Sequence, residues 1–157
     1  RRVLFRSQHR YDYVIIDTAP AFNEAMLAVL DAADEILVVS TLDLPTVKNV
    51  KLCLEILASL KYDRDKIKLI INRADADGFI RLGDVEDSLG CRVAATVPSE
   101  GKIVVDSVNK GIPFVIGNPE TRVAAAVFQL ARLVAREELN EAAKGGGLVR
   151  RLKRLFG

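Results

Sequence analysis

Apolar residues fall along this chain in two alternating rhythms. Continuous runs of strand length, led by Val, Ile, Leu and Tyr, occupy residues 11–16, 35–40, 66–71 and 92–97. Between them, apolar residues recur at three- and four-residue spacing, the pattern of a helix with one buried face. Asn23 suits the N-cap of a helix over 24–33, where Met26, Leu27 and Leu30 share a face. Pro45 suits the first position of a helix running to about residue 60, with Val47, Val50, Leu54 and Leu57 on one side. A short helix over 82–89 ends at Gly90, and another over 102–109 stops at Gly111. Residues 112–116 read as a short extended segment and 121–142 as a last long helix. Strand and helix alternate throughout. This order predicts an α/β fold with a mostly parallel sheet flanked by helices on both faces.

The length of 157 residues and the 50% apolar content suit one domain with a full core. No apolar run approaches the ~20 residues needed to span a bilayer. Cys53 and Cys91 lie far apart, each within an apolar pattern, and read as buried thiols of a reducing compartment. His9 is the only histidine, which argues against His-based catalysis and His-rich metal sites. The net charge of +2 hides an asymmetry. Residues 1–10 carry four Arg and residues 144–157 five basic residues, with no acid in either stretch. The remainder holds 14 basic and 21 acidic residues, a net charge of −7. An acidic body with basic ends is not a uniformly basic nucleic-acid binder.

Chemistry-bearing residues cluster where the expected strands stop. The first run ends in Asp17 and Thr18, the second in Ser40, Thr41 and Asp43. The third ends in Asn72, Arg73 and Asp75, and the fourth in Pro98 and Ser99. Ligands of open α/β sheets sit beyond the carboxyl ends of the strands, so parallel strands would gather these residues on one rim. An acid such as Asp17 at the end of a buried strand has two readings. It starts a turn, or it holds the hydrated Mg²⁺ of a bound nucleotide as a Walker B Asp.

A phosphate-cradling loop of the form G-x-x-x-x-G-K-[ST] is not found. Gly101-Lys102 lacks the upstream Gly and the Ser/Thr, and Lys144-Gly145-Gly146-Gly147 follows a helix and reads as a linker. This chain by itself is therefore not expected to hydrolyse ATP. Arg1-Arg2-Val3-Leu4-Phe5-Arg6-Ser7 matches, residue for residue, one reading frame of a sequencing-library adapter. Residues 1–7 are expected to be non-native, with native sequence resuming near Gln8 and the phosphate loop lying upstream; the alternative is a genuine basic arm. A missing neighbouring strand would leave one side of the 11–16 strand unpaired.

Several motifs in order carry a family resemblance over residues 11–134. Tyr11-Asp12-Tyr13-Val14-Ile15-Ile16-Asp17-Thr18-Ala19-Pro20 resembles the Walker B and switch II segment of the MinD/ParA superfamily of deviant-Walker ATPases. This chain has Ala19 where that family often has Pro. Thr41-Leu42-Asp43-Leu44-Pro45-Thr46-Val47-Lys48-Asn49-Val50-Lys51 is similar to CpaE-like proteins of Tad/Flp pilus assembly. Asn72-Arg73-Ala74-Asp75 resembles the adenine-side motif, and Val97-Pro98-Ser99 and Ser107-Val108-Asn109-Lys110-Gly111-Ile112-Pro113 continue the match. The resemblance implies that residues 8–143 are the C-terminal part of a SIMIBI-type P-loop NTPase domain that uses ATP and Mg²⁺. In it, Asp17 would hold Mg²⁺ through water and Thr18 would belong to the switch that senses the γ-phosphate. Asn72 would read the adenine edge, since its amide both donates and accepts; the alternative is a turn Asn. Arg73 would border the base or pair with Asp75. Pro98 and Ser99 would offer backbone contacts to the base, or simply end the strand.

After the 144–147 linker comes a tail over 148–157. Its apolar residues Leu148, Val149, Leu152, Leu155 and Phe156 recur at helical spacing, and Arg150, Arg151, Lys153 and Arg154 fill the other face. A short basic amphipathic helix of this kind lies in the interface of an anionic membrane, each basic residue contributing ~1 kcal/mol. The close also resembles the membrane-targeting end of MinD proteins. Alternatives are a helix docked on its own domain, on a partner, or on nucleic acid. The resemblance implies an ATP-dependent homodimer on the cytoplasmic face of the inner membrane, most like a CpaE-like factor acting on pilus assembly or other polar proteins. Cell-division or flagellar-number control and a non-hydrolysing scaffold are the alternatives. The acidic body speaks against DNA as partner.

Overall fold

The structure, a computed structural model, describes residues 11–19, 21–75 and 80–135. The chain divides into two compact units, one up to Ile36 and the other from Leu37 on.

In the first unit, α1 spans Glu24–Ala32. Asn23 caps it as expected, its side chain accepting from the Met26 N–H at 2.9 Å. The strand expected over 11–16 does not form. Ile15 is 92% exposed, and Tyr11, Tyr13, Val14 and Ile16 are also exposed. The physical reason is that β propensity alone does not hold a strand. A strand needs a hydrogen-bonded neighbour and a face to bury, and among the described residues no strand pairs with this segment.

The remaining elements are β1 (Ile36–Ser40), α2 (Leu44–Ser59), a 3₁₀ turn (Arg64–Lys66), β2 (Ile67–Asn72), α3 (Leu82–Leu89), β3 (Val93–Val97), α4 (Gly101–Lys110), the single turn α5 (Phe114–Gly117) and α6 (Arg122–Val134). The strands form a three-stranded parallel sheet in the order β1-β2-β3, flanked by helices. Both crossovers step the same way across the sheet, and right-handed connections then place α2 and α3 on one face. These two helices pack on each other, and α6 packs on β3. The central strand is the most apolar: Leu69, Ile70 and Ile71 are all buried, as a strand covered on both faces requires. β1 alternates instead, with Ile36, Val38 and Ser40 buried and Leu37 and Val39 exposed.

Leu69 pairs with Val93, but Ile70 pairs with Ala95, so the ladder passes over Ala94. The shifted register sets Asn72 beside Val97. The two strands therefore deliver their terminal loops side by side.

The helix ends follow local chemistry. Gly90 and Gly111 close α3 and α4 at φ +58° and +65°, the left-handed region that a Cβ disfavours. Thr121 caps α6 by accepting from the Ala124 N–H at 3.4 Å. The extended segment expected over 112–116 is instead partly helical. The Pro113 carbonyl accepts from the Ile116 and Gly117 N–H groups at 2.9 and 3.0 Å and so starts the turn of α5. The long helix expected to reach residue 142 is described as far as Val134. Cys53 and Cys91 are free and half-buried, and burial pushes the Cys53 thiol up.

Candidate functional site

β2 and β3 end together, and the ladder continues one step beyond them: Ala74 N–H donates to the Val97 carbonyl at 3.0 Å. The loop bearing Asn72, Arg73 and Asp75 thus lies against the loop bearing Pro98, Ser99 and Glu100. Arg73 turns the first loop with φ +54°, an uncommon value for a residue with a Cβ. The Asn72 side chain supports this turn, its Oδ1 accepting from the Arg73 N–H at 3.0 Å. That contact uses one acceptor position of the amide, whose oxygen has two lone pairs and whose nitrogen carries two donors.

Asp75 joins the loops from above. One carboxylate oxygen accepts from the Ser99 N–H, and the other accepts from Arg122 Nη1 at 3.0 Å. Glu100 makes a parallel arrangement: Oε2 accepts from the Val123 N–H at 2.7 Å, and Oε1 lies 3.5 Å from Arg122 Nε. Arg122, at the start of α6, is held between two carboxylates, one from each loop. The Ser99 N–H, followed by the Arg122 guanidinium, holds the Asp75 carboxyl below the usual carboxylate range. A shallow pocket of about 420 Å³ opens here, lined among others by Ala74, Asp75, Pro98, Arg122 and Ala126.

The expected rim is thus realised in part. Asn72, Arg73 and Asp75 are brought together with Pro98 and Ser99. Arg73 makes no ion pair with Asp75; Arg122 does. Asp43 is turned to another use: as N-cap of α2 it accepts from the Thr46 N–H at 2.9 Å and also from the Thr41 hydroxyl. These contacts hold its carboxyl below the usual range, the Thr41 hydroxyl foremost. Ser40 is buried, its hydroxyl donating to the Thr41 carbonyl at 3.1 Å. Asp17 and Thr18 are exposed and belong to the first compact unit. The tail residues Leu148 to Phe156 lie outside the described residues.

Glu100 and Arg122 were not anticipated from the sequence. Asp75 and Arg122 are 47 residues apart. No local spacing signals such a pair. A Thr at the head of a helical pattern suits an N-cap, a signal that could have marked Arg122 as the first helical residue.

Among the described residues, no cluster of three or more His, Cys, Asp or Glu could cage a metal. Asp17 is a single exposed carboxylate. A hard cation that keeps several waters is held by one carboxylate, as Asp17 offers, together with the phosphates of a nucleotide.

No family model matches the chain. It is 27% identical over 132 residues to the septum site-determining protein MinD of Thermotoga maritima, covering 81% of this chain and 48% of that protein. The chain thus spans about half the length of the curated relative. The crystal structure of a ParA family ATPase from Chlorobium tepidum superposes with a TM-score of 0.73 at 22% identity, over 78% of this chain and 50% of the other. MinD of Pyrococcus horikoshii complexed with Mg-ADP superposes with a TM-score of 0.71 at 20% identity, over 86% of this chain and 55% of the other. The structural likeness carries the fold: a parallel α/β sheet of the P-loop NTPase type, as expected. In sequence and in fold the relatives found are ATPases of the MinD/ParA superfamily, the family that the order of the motifs resembles.

Proposed function

We propose that the protein carrying this chain is an ATP-dependent spatial regulator of the MinD/ParA kind, and that this chain supplies the base-binding end of its nucleotide site. The observation that carries the proposal is the junction of the 72–75 and 97–100 loops at the carboxyl rim of the sheet, set by the Asn72–Val97 register. That is where an open α/β sheet takes its ligand. Asn72 supplies an amide to the base edge, Arg73 borders it, and Pro98 and Ser99 offer backbone groups. Asp17, with Thr18 in the switch segment, holds the Mg²⁺ that neutralises the phosphate charge when nucleotide is bound.

The tail over 148–157 is the proposed membrane contact. One such basic, apolar tail binds weakly, and an ATP-dependent homodimer would present two, so that avidity switches attachment on. Among the described residues no helix is long and apolar enough to cross a membrane. Septum placement is favoured as the biological task by the name of the curated MinD relative. Pilus assembly of the CpaE kind rests on the 41–51 and 72–75 stretches alone. Sedimentation of the intact gene product with phosphatidylglycerol-containing vesicles tests the proposal. ATP should support co-sedimentation, ADP should not, and deletion of residues 148–157 should abolish it. Equal sedimentation with both nucleotides, or none lost on deletion, would sink it.

A further inference from the structure

Each rim loop brings one carboxylate to the same place, Asp75 from the 72–75 loop and Glu100 from the 97–100 loop. The two divide their oxygens in the same way. One oxygen of each accepts from a backbone N–H, that of Ser99 for Asp75 and that of Val123 for Glu100. The other oxygen of each faces the Arg122 guanidinium, 3.0 Å from Nη1 and 3.5 Å from Nε. The backbone bonds draw the carboxylates together, and the guanidinium answers their charge.

Exposure decides what Arg122 does here. Its side chain is 66% exposed and that of Asp75 40%, so water and salt screen the ion pairs, and they add little as glue. Like charges drawn together without a counter-ion are a different matter. Both carboxylates reach one guanidinium, so they stand closer to each other than the ~10 Å over which 0.1 M salt screens charge. Without Arg122 they would repel across the loop junction and add negative field beside a site for an anionic nucleotide.

We propose that Arg122 is a positioning residue of the nucleotide rim: its charge cancels that of the Asp75 and Glu100 pair, so that the 72–75 and 97–100 loops lie side by side and retain bound nucleotide. The inference rests on the nucleotide reading above and adds a residue that reading does not require. Arg122 acts from the first position of α6 through the two carboxylates, not on the nucleotide itself.

Release of fluorescent N-methylanthraniloyl-ADP from the intact gene product, chased with excess ADP in the presence of Mg²⁺, tests it. Arg122→Ala should speed release by about three- to tenfold in about 50 mM salt. The gap should close to within about twofold in about 0.5 M salt, where the repulsion is screened. Arg122→Lys keeps the charge and should release as the wild type does. A triple variant, Arg122→Ala with Asp75→Asn and Glu100→Gln, keeps an oxygen for each backbone N–H and removes both negative charges. It should return to within about twofold of the wild type. A gap that persists in high salt, or a triple variant as fast as Arg122→Ala, marks a purely structural role and overturns the proposal. So does an Arg122→Ala variant that releases at the wild-type rate in low salt. A wild type that does not bind the analogue overturns the nucleotide reading and this inference with it.

Discussion

Replacing Ile71 by Ala should separate a fold organised around β2 from one that is not. Ile71 has no solvent exposure and stands one residue before Asn72, on the strand with neighbours on both sides. The substitution removes three carbons from a closed site. At ~0.8 kcal/mol per buried CH₂ the transfer loss alone is about 2.4 kcal/mol. Incomplete collapse of the cavity raises the expected total into the range of about 2–5 kcal/mol. For a domain of this size each kcal/mol lowers Tm by about 2–4 °C, so a drop of about 5–15 °C is expected. The control is Val108→Ala on α4, where the side chain is 75% exposed and the change should stay within about 0.5 kcal/mol. Thermal unfolding followed by circular dichroism reads both. A drop for Ile71→Ala of less than about 2 °C, or one equal to the control, would refute β2 as the buried centre.

Two carboxylates give the chain an acid limit. Asp43 and Asp75 have lowered folded-state pKa values, so the unfolded chain binds more protons as pH falls below about 4, and stability is lost through that window while being fully present above it. Chemical denaturation at stepped pH should show this loss, and the Asp43→Asn, Asp75→Asn double variant should flatten it. Burial raises the Cys53 thiol, so iodoacetamide should modify Cys53 more slowly in the folded chain than in urea at the same pH, and equal rates would contradict the half-buried placement.

The legible parts of this fold were those that local chemistry decides. Asn23, Pro45, Gly90 and Gly111 marked helix ends within a residue or so, because caps and left-handed glycines act on their own turn. The apolar run at 66–71 predicted a strand, and the structure buries its Leu69, Ile70 and Ile71. The run at 11–16 looked equally convincing and gave no strand, since pairing is a property of neighbours and not of the run itself. Asp43 was read as a rim residue because it follows the end of the second expected strand, whereas its place three residues before Thr46 makes it a cap. At the candidate site, Asn72, Pro98 and Ser99 were singled out by motif. Glu100 and Arg122 were missed because their roles exist only once the two loops and α6 meet.

The central claim is that this chain forms the base end of a Mg²⁺-nucleotide site, and nucleotide titration of the intact gene product tests it most directly. ATP should bind with Mg²⁺ and more weakly without it. Asn72→Ala should weaken ATP but leave tripolyphosphate unchanged, and Asp17→Asn should remove the Mg²⁺ dependence. Absence of ATP binding, or ATP binding indifferent to both Asn72 and Asp17, would contradict the account.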